Sequence, residues 1–249
     1  MVADQFPRVL SLTYRIASHD EYGYGERAVL VGMLSGFVYH LRHRRAEFVP
    51  TDHFASEAEA RAKLDPLLHA WELSAALNHG RGVLEFVFTE SHVQNAPPQR
   101  GALDLRDTTG SYLGTSVRVG VTFTASHPPP PETFAVNEFV STLADVYLLG
   151  YEYPWALQYI AQNVATRVKA HFGGFNHAAQ ALGIAVDILV RMESLTPTSG
   201  PPSAPVTPLM QKWLMTILHE VIRRAGAVAA AAVSSGEAIT LATHPLPDL

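Results

Sequence analysis

A chain of 249 residues lies near the upper limit for one hydrophobic core, and its 47% hydrophobic content is that of a folded domain. Charged residues make up only 16%, against roughly 25% in a typical domain, and the net charge of −5 argues against nucleic-acid binding driven by counterion release. Cysteine is absent, which excludes disulfides, thiolate metal sites and a cysteine nucleophile.

In chain order, Arg8–Ser18 is rich in β-formers and predicts a strand with Leu10, Leu12, Tyr14 and Ile16 on one face. After the turn HDEYGYG, Glu26–Arg45 predicts a helix. Its apolar stripe holds Leu30, Met33, Leu34, Phe37, Val38 and Leu41, and its last turn is basic. Ser56 predicts the cap of a second helix over 57–78, with Glu59 completing a capping box and Pro66 kinking or dividing the helix. Strands are expected at Gly82–Ser91 and Thr115–Ser126, followed by the polyproline stretch HPPPPE.

Beyond it the apolar period lengthens from two to about 3.6. Phe134–Leu149, Pro154–Phe172 and Asn176–Met192 predict helices, although IAVDILVRM alone reads equally as a strand and Gly183 stands mid-helix. A proline-rich linker covers 195–207. Thr207 and Pro208 then open a long helix to about Val233, and AITLAT (238–243) predicts a last strand. The expected architecture is a single α+β domain over 1–249. It has a strand-rich half 1–127, a helix-rich half 132–249, and a small, mostly antiparallel sheet packed by helices, to which the C-terminal strand is free to return.

Four segments end alike: YRIASH, VFTESH, TFTASH and TLATH. If the second and third strands run unbroken, period-two geometry turns His92 to the side of Leu84, Phe86 and Phe88, and His127 to the side of Val117 to Phe123. His19 falls with Ser11, Thr13 and Arg15. Two imidazoles completed by a carboxylate define a zinc- or iron-type site. That gives one candidate, a hydrolase-like metal-dependent centre of His92, His127, Glu90, Asp20 and Glu21, with His92 and His127 as ligands. Hydroxyl-bearing turns account for the same letters without a metal.

GYGERA matches the glycine-rich phosphate fingerprint as a string, with Gly23 and Gly25 at its glycines and Glu47 at the ribose-binding spacing. Asp20 and Glu21 beside it oppose a phosphate. HLRHRR (40–45) is the local basic exception, a solvated helix end suited to an acidic partner. LHEVIRR lacks the second histidine of a zinc-protease motif, and Arg223 pairs with Glu220 on the surface. DVYLLGYEYPWALQY gathers Tyr151, Tyr153, Trp155 and Tyr159 around Gly150 and Pro154, residues that serve either a helix corner or an interface.

No cofactor is specified by any of these patterns. The low charge, the aromatic corner and the alanine-rich 225–233, whose small side chains would allow close helix approach, point to a non-catalytic subunit of a homo- or hetero-oligomer with a protein partner. No nucleic acid or membrane is expected as partner. MVADQFPRVL has no signal-peptide pattern, so the expected setting is cytoplasmic.

Overall fold

In the computed structural model, residues 6–18, 29–42, 44–95, 128–195, 207–231 and 238–247 are described. The chain divides into two compact units, Met1–Leu68 with Gly82–Pro128, and His69–Arg81 with Pro129–Leu249. The architecture is α+β, as the sequence predicts.

The first unit is built on a five-stranded antiparallel sheet: β1 (Arg8–Ala17), β2 (Val29–Leu34), β3 (Phe37–Arg42), β4 (Arg45–Pro50) and β5 (Glu85–Gln94), in the order β2-β3-β4-β1-β5. The helix expected over 26–45 is therefore wrong from Val29 onward, where the chain forms strands. The deciding residues are Ser35 and Gly36, with φ of 43° and 93°. A two-residue loop with both φ positive matches the twist of paired strands and closes a hairpin, Leu34 opposite Phe37. Phe37, Tyr39 and Leu41 are buried and alternate with more exposed neighbours, a period-two pattern that the helical stripe had masked. His40 thus lies on a strand opposite Glu47, and His43 lies outside the described residues.

Gly32 faces Tyr39 across the hairpin, and a β-carbon there would overlap the Tyr39 ring. The aromatic ring covers the glycine backbone, a pairing that compensates a strand glycine. Gly32→Val is expected to expel the ring and cost about 1–3 kcal/mol. The check is a lower urea midpoint with an unchanged slope.

Two bulges bend the β1–β5 pair. The register runs Val9↔Val93 then Ser11↔His92, and Thr13↔Glu90 then Tyr14↔Phe88, so Leu10 and Thr89 are each one residue in excess. Val9 takes the buried position expected of Leu10, which is only half-buried. The bulge at Thr89 is held by its hydroxyl, which donates to the Thr13 carbonyl at 2.8 Å.

α1 (Glu57–His79) runs through Pro66 undivided. Ser56 Oγ accepts from the Glu59 N–H at 3.2 Å, while the Glu59 carboxylate accepts from Ala55 N–H at 2.9 Å, one residue earlier than the capping box predicts. Its first three turns cover the apolar sheet face. Tyr14 donates to Asp65, Ser91 to Glu57, and the Arg61 guanidinium lies 4.2 Å above the Phe88 ring. Beneath them Phe48 is fully buried, edge-on to Tyr14 at 5.6 Å and to Phe86 at 6.0 Å.

In the second unit α2 (Glu138–Glu152), a 3-10 turn (Pro154–Ala156), α3 (Leu157–Phe172), α4 (Phe175–Leu182), α5 (Val186–Ser194) and α6 (Pro208–Ala229) enclose one apolar core. The single helix expected over 176–192 is two helices. Gly183 adopts φ 63° and ends α4, because glycine takes the left-handed conformation without steric cost. Thr207 caps α6 as expected, its hydroxyl accepting from Met210 N–H at 3.2 Å. AITLAT does not return to the sheet. Ile239 makes an isolated parallel bridge to Ile184, with hydrogen bonds to Gly183 and Ala185. Only the first part of the alanine-rich stretch, Ala225 to Ala227, is spent internally, and Val228, Ala230 and Ala231 are exposed. Ala225 and Ala227 are buried, and the Phe134 ring occupies the space a Gly226 side chain would take.

Candidate functional site

The histidine candidates divide. His127, Asp20, Glu21, Gly23, Gly25 and His19 lie outside the described residues, as does the strand expected at 115–126. His92 is exposed, and the Thr89 bulge reverses its direction: Ser91 meets α1 while His92, opposite Ser11, turns away from Phe86 and Phe88. Glu90 is exposed and ion-paired to Arg45 at 3.2 Å. His244 sits in a turn closed by Thr240 and Thr243, its Nδ1 3.0 Å from the Thr243 hydroxyl, and its carbonyl accepts from Trp213 Nε1. For that segment hydroxyl turn chemistry accounts for the repeated letters. Among the described residues no three His, Asp or Glu side chains are placed to hold a metal ion.

What the second unit does present is a corner of large rings. α2 stops at Tyr153, whose N–H donates to the Leu149 carbonyl at 2.8 Å. Pro154 lacks an N–H and starts the tight turn that leads into α3. Gly150 sits under this corner. A β-carbon there would press within 2.9 Å of Leu157 and 3.3 Å of Met215, so the glycine lets the helices close up. With the interior filled in this way, the rings point outward. Tyr151, Tyr153, Trp155 and Tyr159 are 54, 46, 68 and 42% exposed, and Leu149 beside them is 41% exposed.

The corner has one buried anchor. Tyr147 is 2% exposed, stacks edge-on to Tyr151 at 5.5 Å and shares a hydroxyl hydrogen bond with it at 3.1 Å. Burial, and then the bond to Tyr151, holds the Tyr147 phenol above its ordinary pKa, so it stays a neutral hydrogen-bonding group. Tyr153 and Trp155 form a second edge-on pair at 6.1 Å. The Arg81–Glu152 ion pair, 2.7 Å, adds charge beside the rings. From Tyr159 a shallow furrow follows α3 past Gln162, Asn163, Thr166 and Arg167. Rings packed on one another next to polar and charged side chains form a contact surface; they bring no nucleophile beside a base.

The residue that sequence reading missed is Arg224. It is 3% exposed and donates to the carbonyls of Leu182 and Gly183, each at 3.0 Å, and to Glu220 at 3.4 Å. Glu220 also takes Arg223 at 2.8 Å. The neighbouring His219, its Nδ1 3.7 Å from the carboxylate, and then the two arginines outweigh burial and hold the Glu220 carboxyl well below its ordinary pKa. No signal in IRR separates Arg224 from Arg223, since its burial depends on where α4 ends some 40 residues earlier.

No family model, curated protein or solved structure matches the chain. No helix among the described residues is long and apolar enough to cross a membrane.

Proposed function

We propose that the protein is a non-catalytic assembly subunit that joins a homo- or hetero-oligomeric complex through the corner of Tyr151, Tyr153, Trp155 and Tyr159. The exposure of these four rings, Trp155 above all, carries the reading. Large apolar rings in water are unfavourable unless covered, and tyrosine and tryptophan dominate the energetic centres of interfaces. The rings are stiffened by mutual packing and by the proline turn, so little freedom is lost on docking. A charged content of 16% supports the same reading, and a cysteine-free chain suits the reducing cytoplasm where such a subunit would work.

Tryptophan emission tests it. Trp71 and Trp213 are buried while Trp155 is 68% exposed, so the long-wavelength emission belongs to Trp155. Raising the protein concentration, or adding a co-purified partner, should shift that emission to the blue as a larger species forms in sedimentation. Tyr153→Ser with Trp155→Ser should weaken association about 30-fold, the equivalent of about 2 kcal/mol. A chain that stays monomeric with Trp155 wet at every concentration, and that retains no partner, defeats the proposal.

A further inference from the structure

The register of the first unit's sheet places three arginines in one row. Arg42 on β3 pairs with Arg45 on β4, and Arg45 pairs with Arg15 on β1. All three are exposed. Directly opposed like charges destabilise a sheet, so the row carries a cost. Arg45 is partly compensated by Glu90 and by the Thr13 hydroxyl. Among the described residues neither Arg15 nor Arg42 has an acidic partner. The row lies on the face turned away from α1, together with His40, Glu47, Thr13, Glu90, Ser11 and His92. On the same face Val31 and Met33 of β2 are 55 and 68% exposed, giving the row an apolar margin.

We propose that this row is a docking surface for an acidic amphipathic helix of a partner protein. Spacing selects the helix. Neighbouring strands lie about 4.8 Å apart, so the outer arginines of the row are separated by about 10 Å. Carboxylates at i, i+4 and i+7 of a helix rise about 6 and about 10.5 Å along its axis, matching one carboxylate to each guanidinium. An extended peptide with alternate acidic residues would advance about 6.7 and about 13 Å and fall out of step. Guanidinium binds carboxylate through paired, charge-assisted hydrogen bonds, and Val31 and Met33 meet the apolar side of the same helix. Nucleic acid fits less well. The next row carries Glu47 and Glu90, among the described residues the register places no Phe, Tyr or Trp on this face for base stacking, and the whole chain is acidic.

The surface belongs to the first unit and is tested apart from the aromatic corner. A fluorescein-labelled helical peptide with glutamates at i, i+4 and i+7 is titrated with the full-length protein and followed by anisotropy. The expected result is saturable binding that weakens as salt rises, with a peptide of the same composition but scattered glutamates binding at least about tenfold more weakly. Arg15→Gln with Arg42→Gln should also lose at least about tenfold, with an unchanged circular-dichroism melt, whereas Trp155→Ser should bind the peptide like the parent. Equal binding of both peptides, equal binding by the double glutamine variant, or tighter binding of a single-stranded RNA oligonucleotide than of the acidic peptide would overturn the proposal. Because the Trp155 variant is carried through the same titration, a failure here is separate from a failure of the assembly reading.

Discussion

Arg224→Ala should lower the stability of the second unit by about 3–5 kcal/mol, the usual consequence of removing one member of a buried, hydrogen-bonded ionic group. The loss has two parts. The Leu182 carbonyl loses its Arg224 donor in a buried site, while the Gly183 carbonyl keeps the Ile239 N–H. Glu220 loses one of its two arginines. Arg224→Lys should recover only part, because an ammonium cannot span two carbonyls and a carboxylate as a planar fork does. Tryptophan fluorescence reads the effect, since Trp71, Trp155 and Trp213 all belong to this unit. The Glu220 carboxyl, held below its ordinary pKa, contributes stability in full above that ordinary value and loses it as pH falls toward the folded-state value. The parent protein should therefore weaken in acid, and the Arg224 variant slightly less so, since His219 and Arg223 still hold the Glu220 carboxyl down.

Phe48→Ala is expected to do comparable damage to the first unit, about 3–5 kcal/mol. Phe48 is 0% exposed on β4, next to β1 in the sheet, and meets Tyr14, Tyr39 and Phe86. Truncation would leave a ring-sized cavity among other rings that cannot all move inward. The first unit holds no tryptophan, so near-ultraviolet tyrosine dichroism and amide exchange on β1 and β4 are the appropriate readouts. Phe48→Leu should cost markedly less, because most of the volume is retained.

Much of the second unit was legible in the sequence because its helices carry local signals, the Thr207–Pro208 start and the 3.6-residue apolar period, although Gly183, read inside one helix, instead ends α4. The aromatic corner was legible as a constellation but not as a surface. The same letters suit a buried elbow, and only the filling of the interior by Leu157 and Met215 against Gly150 turns the rings outward. In the first unit, positions 30, 33, 34, 37, 38 and 41 satisfy helical spacing while 37, 39 and 41 satisfy strand alternation. Ser35 and Gly36 broke the tie, and a serine in the left-handed region is not a strong signal in sequence. The arginine row was visible as a basic cluster, yet assigning it to a helix end concealed that β1 contributes Arg15. The direction of His92 was illegible, because Thr89 looks like any other strand residue.

That bulge sets the side of β5 on which each later residue lies. Were Thr89 to pair with Thr13 and iron the bulge out, every residue from Glu90 to Gln94 would change sides. An imidazole would then be swung onto the oily underside and the hydroxyl that reaches Glu57 out into water. Deleting Thr89 would join Phe88 to Glu90 and keep the observed sides, whereas a substitution that removes the hydroxyl bond to Thr13 frees the strand to slip.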